Sequence, residues 1–193
     1  MTAERKRPHT GRQRNEAART AILDAAMALL GTARFTADEI AREAGVGKQT
    51  LYRWWPSKAA VVAEAMGRRA RDIAPVPDTG TVLGDLREFL AETFTGAAEP
   101  ANRNALRQIM ASAQQDEHLA EAVAGFTAAR RDALRSLLER AGRRGELPAG
   151  ADLDLAVDQA YGVLWYRLLV GHAPLDRRAA EQLARALIAS VGA

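Results

Sequence analysis

The sequence predicts an all-α protein. Three observations carry that expectation. Helix formers dominate the 193 residues, which are 48% hydrophobic. Apolar residues recur with helical period along most of the chain. No β-branched run shows the strict alternation of a strand, and aromatic residues make up only 5%.

Residues 1–14 (MTAERKRPHTGRQR) carry Pro8, Gly11 and many charges but no apolar period. They read as a flexible basic arm, either a solvated tail or a segment that meets phosphates or a minor groove. A first helix is expected from Asn15 to Leu30, with Ile22, Ala25, Ala26, Leu29 and Leu30 inward and Gly31 as its end. A second starts at Thr36, where Thr36 and Glu39 have the spacing of a reciprocal capping box. Gly45 supplies the left-handed residue that stops it. Val46 fills the corner, and a third helix runs from Gly47 to Trp54. Pro56 cannot continue that helix, and Ser57 caps a fourth reaching about Asp72.

Residues 74–80 (APVPDTG) form the clearest break. Helices are then expected near 81–95, 101–114, 117–144, 152–170 and 176–191, with breaks at Gly96 to Pro100, Gln115-Asp116, Gly145 to Gly150 and Gly171 to Pro174. The organisation expected is an arm (1–14), a helix-turn-helix domain with its connecting helix (15–73) and a helical domain (74–193).

Helix, tight turn and short helix over Phe35 to Lys58 form the layout of a helix-turn-helix DNA reader. Leu51 anchors the third helix, and at 100° per residue Gln49 and Arg53 point away from it. Gln49 suits adenine, and Lys48 or Arg53 suits guanine O6 and N7. Thr50 can touch a thymine methyl or a phosphate. Tyr52, Trp54 and Lys58 offer donors to phosphate oxygens, which set register without reading sequence. Trp54 and Trp55 could equally be core. The charge agrees with a polyanion: residues 1–58 hold 11 Lys and Arg against 6 Asp and Glu, and the remainder 16 against 18. Charge alone would fit RNA, heparin-like polymers or anionic lipid as well.

Residues 15–66 resemble the N-terminal domain of TetR-family transcriptional regulators, through AILDAAMALL, FTADEIAREAGV and GKQTLYRWWPSKAAVVAEA. In that family the positions of Lys48, Gln49, Thr50, Tyr52, Trp54 and Lys58 commonly meet DNA. Two features depart from the pattern. The Gly31–Phe35 link is short, which predicts a shorter first helix, and Gly47 stands where Ser is usual. Tyr161 to Asp176, YGVLWYRLLVGHAPLD, resembles one actinobacterial-type C-terminal subclass.

The resemblance implies a C-terminal helical bundle that dimerises through its last two long helices and holds a small effector. The apolar width of those helices nominates Ala160, Leu164, Leu168, Leu183, Leu187 and Val191 for a homodimer interface. Candidate pocket residues are Met66, Phe89, Phe94, Ile109, Met110, Phe126, Tyr161 and Trp165, each of which could also be plain core.

No cysteine is present, which excludes thiolate metal sites and disulfides and suits a cytoplasmic setting. His118 and His172 are isolated, and Asp152, Asp154 and Asp158 begin a helix, so no metal site or cofactor is expected. No nucleophile–base–orienter set points to an enzyme. No apolar run is long enough to span a membrane. The expected protein is a dimeric regulator of a palindromic double-stranded DNA operator, a ligand-responsive repressor whose effector tilts the fourth helix. A helical ligand-binding or adaptor protein that leaves its motif unused, and an activator, remain the alternatives.

Overall fold

The computed structural model describes residues 10–30, 32 and 34–191, with residues 10–14 as backbone alone. Among the described residues there are nine helices and no strand. They are α1 (Thr10–Leu29), α2 (Ala37–Glu43), α3 (Lys48–Trp54), α4 (Lys58–Ile73), α5 (Val82–Ala98), α6 (Pro100–Ala113), α7 (Glu117–Arg143), α8 (Leu153–Val170) and α9 (Arg177–Val191).

The first helix starts earlier than its apolar pattern does. α1 is 20 residues long and takes in Thr10 to Arg14, part of the segment read as an arm. Arg, Gln and Asn tolerate helix, so the backbone helix continues through residues whose sequence shows no apolar period. At 20 residues the helix is longer than the Asn15–Leu30 segment expected. Residues 1–9 of the proposed arm lie outside the described residues.

Two compact units divide at Ala65 and Met66, inside α4 rather than after it. Local packing explains the position. Val61 and Ala65 belong to the N-terminal core, with Ile22, Leu23, Ala25, Ala26, Leu29, Ile40, Leu51 and Trp55. The last turns of α4 instead meet C-terminal groups: Arg69 donates to the Asn102 side chain at 2.5 Å, and Arg130 donates to the carbonyls of Ala70 and Ala74.

In the C-terminal unit α5 packs against α6, α7, α8 and α9. Phe89, Phe94, Leu86, Leu134, Leu137, Leu138, Leu168 and Leu187 are almost wholly removed from water. Gly96, read as a break, lies within α5. A Cβ there would meet Ile73 Cγ2 at 2.3 Å, so glycine permits a close approach instead of ending the helix. The break comes at Glu99.

This core also contains charge. Asp85 is fully buried. It accepts from the Thr79 backbone N–H at 2.6 Å, from Arg140 at 3.0 Å and from Arg144 at 3.1 Å. Burial alone would raise its carboxyl, but these donors outweigh burial and hold it at about 2. Glu146 accepts from the Val82 N–H at 2.5 Å, satisfying an orphan donor at the start of α5. Arg130, 6% exposed, lies 4.8 Å from the Phe89 ring centroid and donates to Thr93. Tyr161 Oη donates to the Arg130 carbonyl at 2.8 Å.

Candidate nucleic-acid interface

The turn between α2 and α3 forms as its residues dictate. Thr36 Oγ1 accepts from the Glu39 N–H at 3.2 Å. The reciprocal half of the capping box is replaced: the Thr36 N–H donates to the Arg34 carbonyl at 2.8 Å, and the Glu39 carboxylate pairs with Arg42. Gly45 has φ 66°, and the Val46 N–H reaches back to the Ala41 carbonyl at 2.9 Å, the helix-ending pattern that a left-handed residue allows. Gly47 opens α3 without a side-chain cap.

Leu51 is fully buried and fixes the rotation of α3. Opposite it, Gln49 and Arg53 are exposed. Lys48 and Tyr52 share one flank, both exposed, and Thr50 and Trp54 share the other, both half-buried. Thus α3 gathers six of the seven candidate DNA-binding residues on one short helix, and Lys58 follows at the start of α4.

Several of these cations already have partners. Lys48 Nζ lies 2.9 Å from each Asp38 carboxylate oxygen. Its hydrogen bond to the Asp38 carboxylate raises the Lys48 ammonium above the ordinary lysine range. The Arg53 guanidinium sits 5.2 Å from the Trp54 ring centroid. Lys58 lies 4.5 Å from the Phe35 ring centroid and donates to the Phe35 carbonyl at 3.4 Å.

Trp55 is buried and stands edge-on to Trp54 at 5.7 Å. Its indole N–H donates to Glu64 Oε2 at 2.8 Å, while Arg19 meets Glu64 Oε1 at 2.7 Å. Glu64 therefore joins α1, the end of α3 and α4 within the N-terminal unit. Sequence reasoning missed it, although a signal existed. A buried indole needs an acceptor, and Glu64 is the sole carboxylate in the first three turns of α4. Ser57 Oγ caps α4 as expected, accepting from the Ala60 N–H at 3.2 Å.

Ala160, Leu164, Leu168 and Leu187, nominated for a dimer interface, are buried in the chain's own core. Leu183 and Val191 are half-buried against it. Helical spacing marked the inward face of α8, whereas its exposed apolar face is Leu155, Tyr166, Leu169 and Val170. Of the pocket candidates, Phe89, Phe94 and Tyr161 belong to the same core, and Trp165 packs on it half-buried. Met66 and Ile109 are buried; Met110 and Phe126 are half-buried.

The acids at the start of α8 are occupied: Asp152 caps the Leu155 N–H, Asp154 pairs with Arg135 and Asp158 with Arg131. His172 leans on Tyr166, and His118 lies near Glu121. Among the described residues no group of three or more His, Cys, Asp or Glu could hold a metal ion. No described helix is long and apolar enough to cross a membrane.

Comparison with known proteins agrees with this geometry. Residues 22–65 match the family model described as bacterial regulatory proteins, tetR family, and residues 76–187 match the tetracyclin repressor-like C-terminal domain. The chain is 37% identical over 164 residues to the HTH-type transcriptional regulator YdeS of Bacillus subtilis (strain 168), covering 83% of this chain and 82% of that one. It is 31% identical to the HTH-type transcriptional regulator AqdR of Rhodococcus erythropolis, covering 72% and 68%. The crystal structure of the TetR family transcription regulator SCO0332 superposes with a TM-score of 0.76 at 34% identity, covering 90% and 98%.

Proposed function

This chain belongs to the TetR family of transcriptional regulators, and from that premise we propose that it is a ligand-responsive repressor acting as a dimer on a palindromic operator. The observation that carries the reading is the exposed polar face of α3 held rigid by buried Leu51. Gln49 and Arg53 read base edges, and Lys48 reaches a guanine. Tyr52, Thr50, Trp54 and Lys58 flank them toward the phosphates and set register.

Two copies are needed because one such module spans too few base pairs to define a unique site. The second copy covers the apolar face of α8 at Leu155, Tyr166 and Leu169, beside half-buried Leu183 and Val191 of α9. The effector sits among α6, α7 and α8, where Met110, Phe126 and Trp165 are half-buried. It acts through differential affinity for two arrangements of the dimer.

Selection of bound duplexes from a random pool tests this reading. The expected product is a palindrome with half-sites one helical turn apart, about 10 base pairs. A single unrepeated half-site, or no enrichment, would overturn it. Tyr166→Asp should yield monomers that stay folded, read by light scattering and circular dichroism. An unchanged dimer would place the interface elsewhere.

A further inference from the structure

The first turn of α2 places the Asp38 carboxylate beside the first residue of the reading helix, while Glu39 pairs with Arg42 of α2 itself. Asp38 grips Lys48 through both of its oxygens, bridging α2 to the first residue of α3. Both side chains are well exposed, 69% and 49%. A pair this open adds little to the fold. It sits instead where an approaching duplex would meet it.

Sequence-independent DNA binding arises from cations that meet phosphates and release counterions. A phosphate that takes Lys48 must displace Asp38 and then faces its repulsion. A neutral base edge imposes no such conflict: Lys48 can reach a guanine while its carboxylate stays near. We infer that Asp38 is a specificity-determining residue, an anionic guard that withholds Lys48 from DNA phosphates and so weakens binding to non-cognate DNA. Specificity gained by penalising the wrong partner is a general device. The inference rests on α3 being the DNA-reading helix.

The test uses the full chain with Asp38→Asn, Lys48→Gln and the double variant. Each is titrated by fluorescence anisotropy against a labelled random-sequence duplex and against a pool-selected duplex, from about 50 to 200 mM salt. Asp38→Asn should bind the random duplex severalfold more tightly at low salt. Its plot of log affinity against log salt should steepen by about one unit per subunit. The ratio of selected to random affinity should fall. In the Lys48→Gln background the gain from Asp38→Asn should largely vanish. Asp38→Ser, which keeps an oxygen for the start of α2, should reproduce the result.

Unchanged affinity for the random duplex would overturn the guard. So would weakening of both duplexes at constant slope, which would mark Asp38 as purely structural. An equal gain with and without Lys48 would show a general charge effect and also overturn it. A parent protein that binds neither duplex would instead defeat the reading of α3, a separate failure.

Discussion

Among the described residues, the buried polar and charged side chains Asp85, Asn102 and Arg130 all lie in the C-terminal unit. The N-terminal unit keeps an apolar core and holds its charges at or near the surface, paired around α2, α3 and α4. The difference follows from what each unit must specify. A short helix is fixed by one apolar anchor, Leu51, and leaves its charges exposed. A bundle of long helices can slide or rotate, and apolar packing alone tolerates many arrangements. Buried groups that must find their partners favour one of them: Asp85 fixes the start of α5 against the end of α7, and Arg130 fixes the end of α4.

The largest effect that would sharpen the contrast is at the apolar anchor. Leu51→Ala should cost about 2–5 kcal/mol, toward the upper end for a fully enclosed side chain. DNA binding should be lost while most of the helical circular dichroism signal remains. Full DNA binding would mean that Leu51 is not what fixes α3.

In the C-terminal unit the matching change is Asp85→Ala. It removes a buried carboxylate from two arginines and should cost about 3 kcal/mol, because Asp78 and Glu146 still face them. The parent protein should show the same interaction through acid. The Asp85 pKa is lowered in the folded state to about 2, so its stabilisation is complete above the unfolded carboxylate value and fades as pH falls toward 2. The contribution is about 2 kcal/mol. Acid unfolding of Asp85→Ala that tracks the parent at constant offset from pH 5 to 2 would contradict this.

A smaller effect tests a half-buried polar hub of the N-terminal unit. Glu64→Ala leaves the Trp55 N–H without its acceptor and Arg19 without its partner, and should cost about 1.5–3 kcal/mol. Glu64→Gln, whose amide oxygen still accepts from Trp55, should recover part of it. Thermal melts of the two variants that coincide with the parent would make the hub incidental.

The same contrast decides what could be read from the residues alone. Around α3 each local signal has one geometric meaning: Gly45 must be left-handed, Thr36 caps, Pro56 stops and Leu51 faces in. The α2–α3 arrangement and the exposed set at Gln49, Tyr52 and Arg53 were therefore legible. In α8 the apolar pattern runs around most of the helix, so periodicity could not tell Leu164, which is core, from Tyr166, which is exposed. Gly96 carries the same letter as a helix stop, and only its approach to Ile73 reveals its role. Arg130 sits in a charged stretch beside Arg131 that resembles a solvated face, and nothing in the sequence marks it as buried. The pairing of Asp38 with Lys48 joins residues on two helices, so it depended on a crossing that the sequence does not show.

The proposed function stands or falls with base reading by the face of α3 opposite Leu51. The most direct measurement is the affinity of Gln49→Ala for a pool-selected operator and for random duplex at one salt concentration. Base reading by Gln49 predicts a loss of about 1–3 kcal/mol on the operator, relaxed preference at one base pair per half-site, and no change on random DNA. Equal weakening on both duplexes would contradict it.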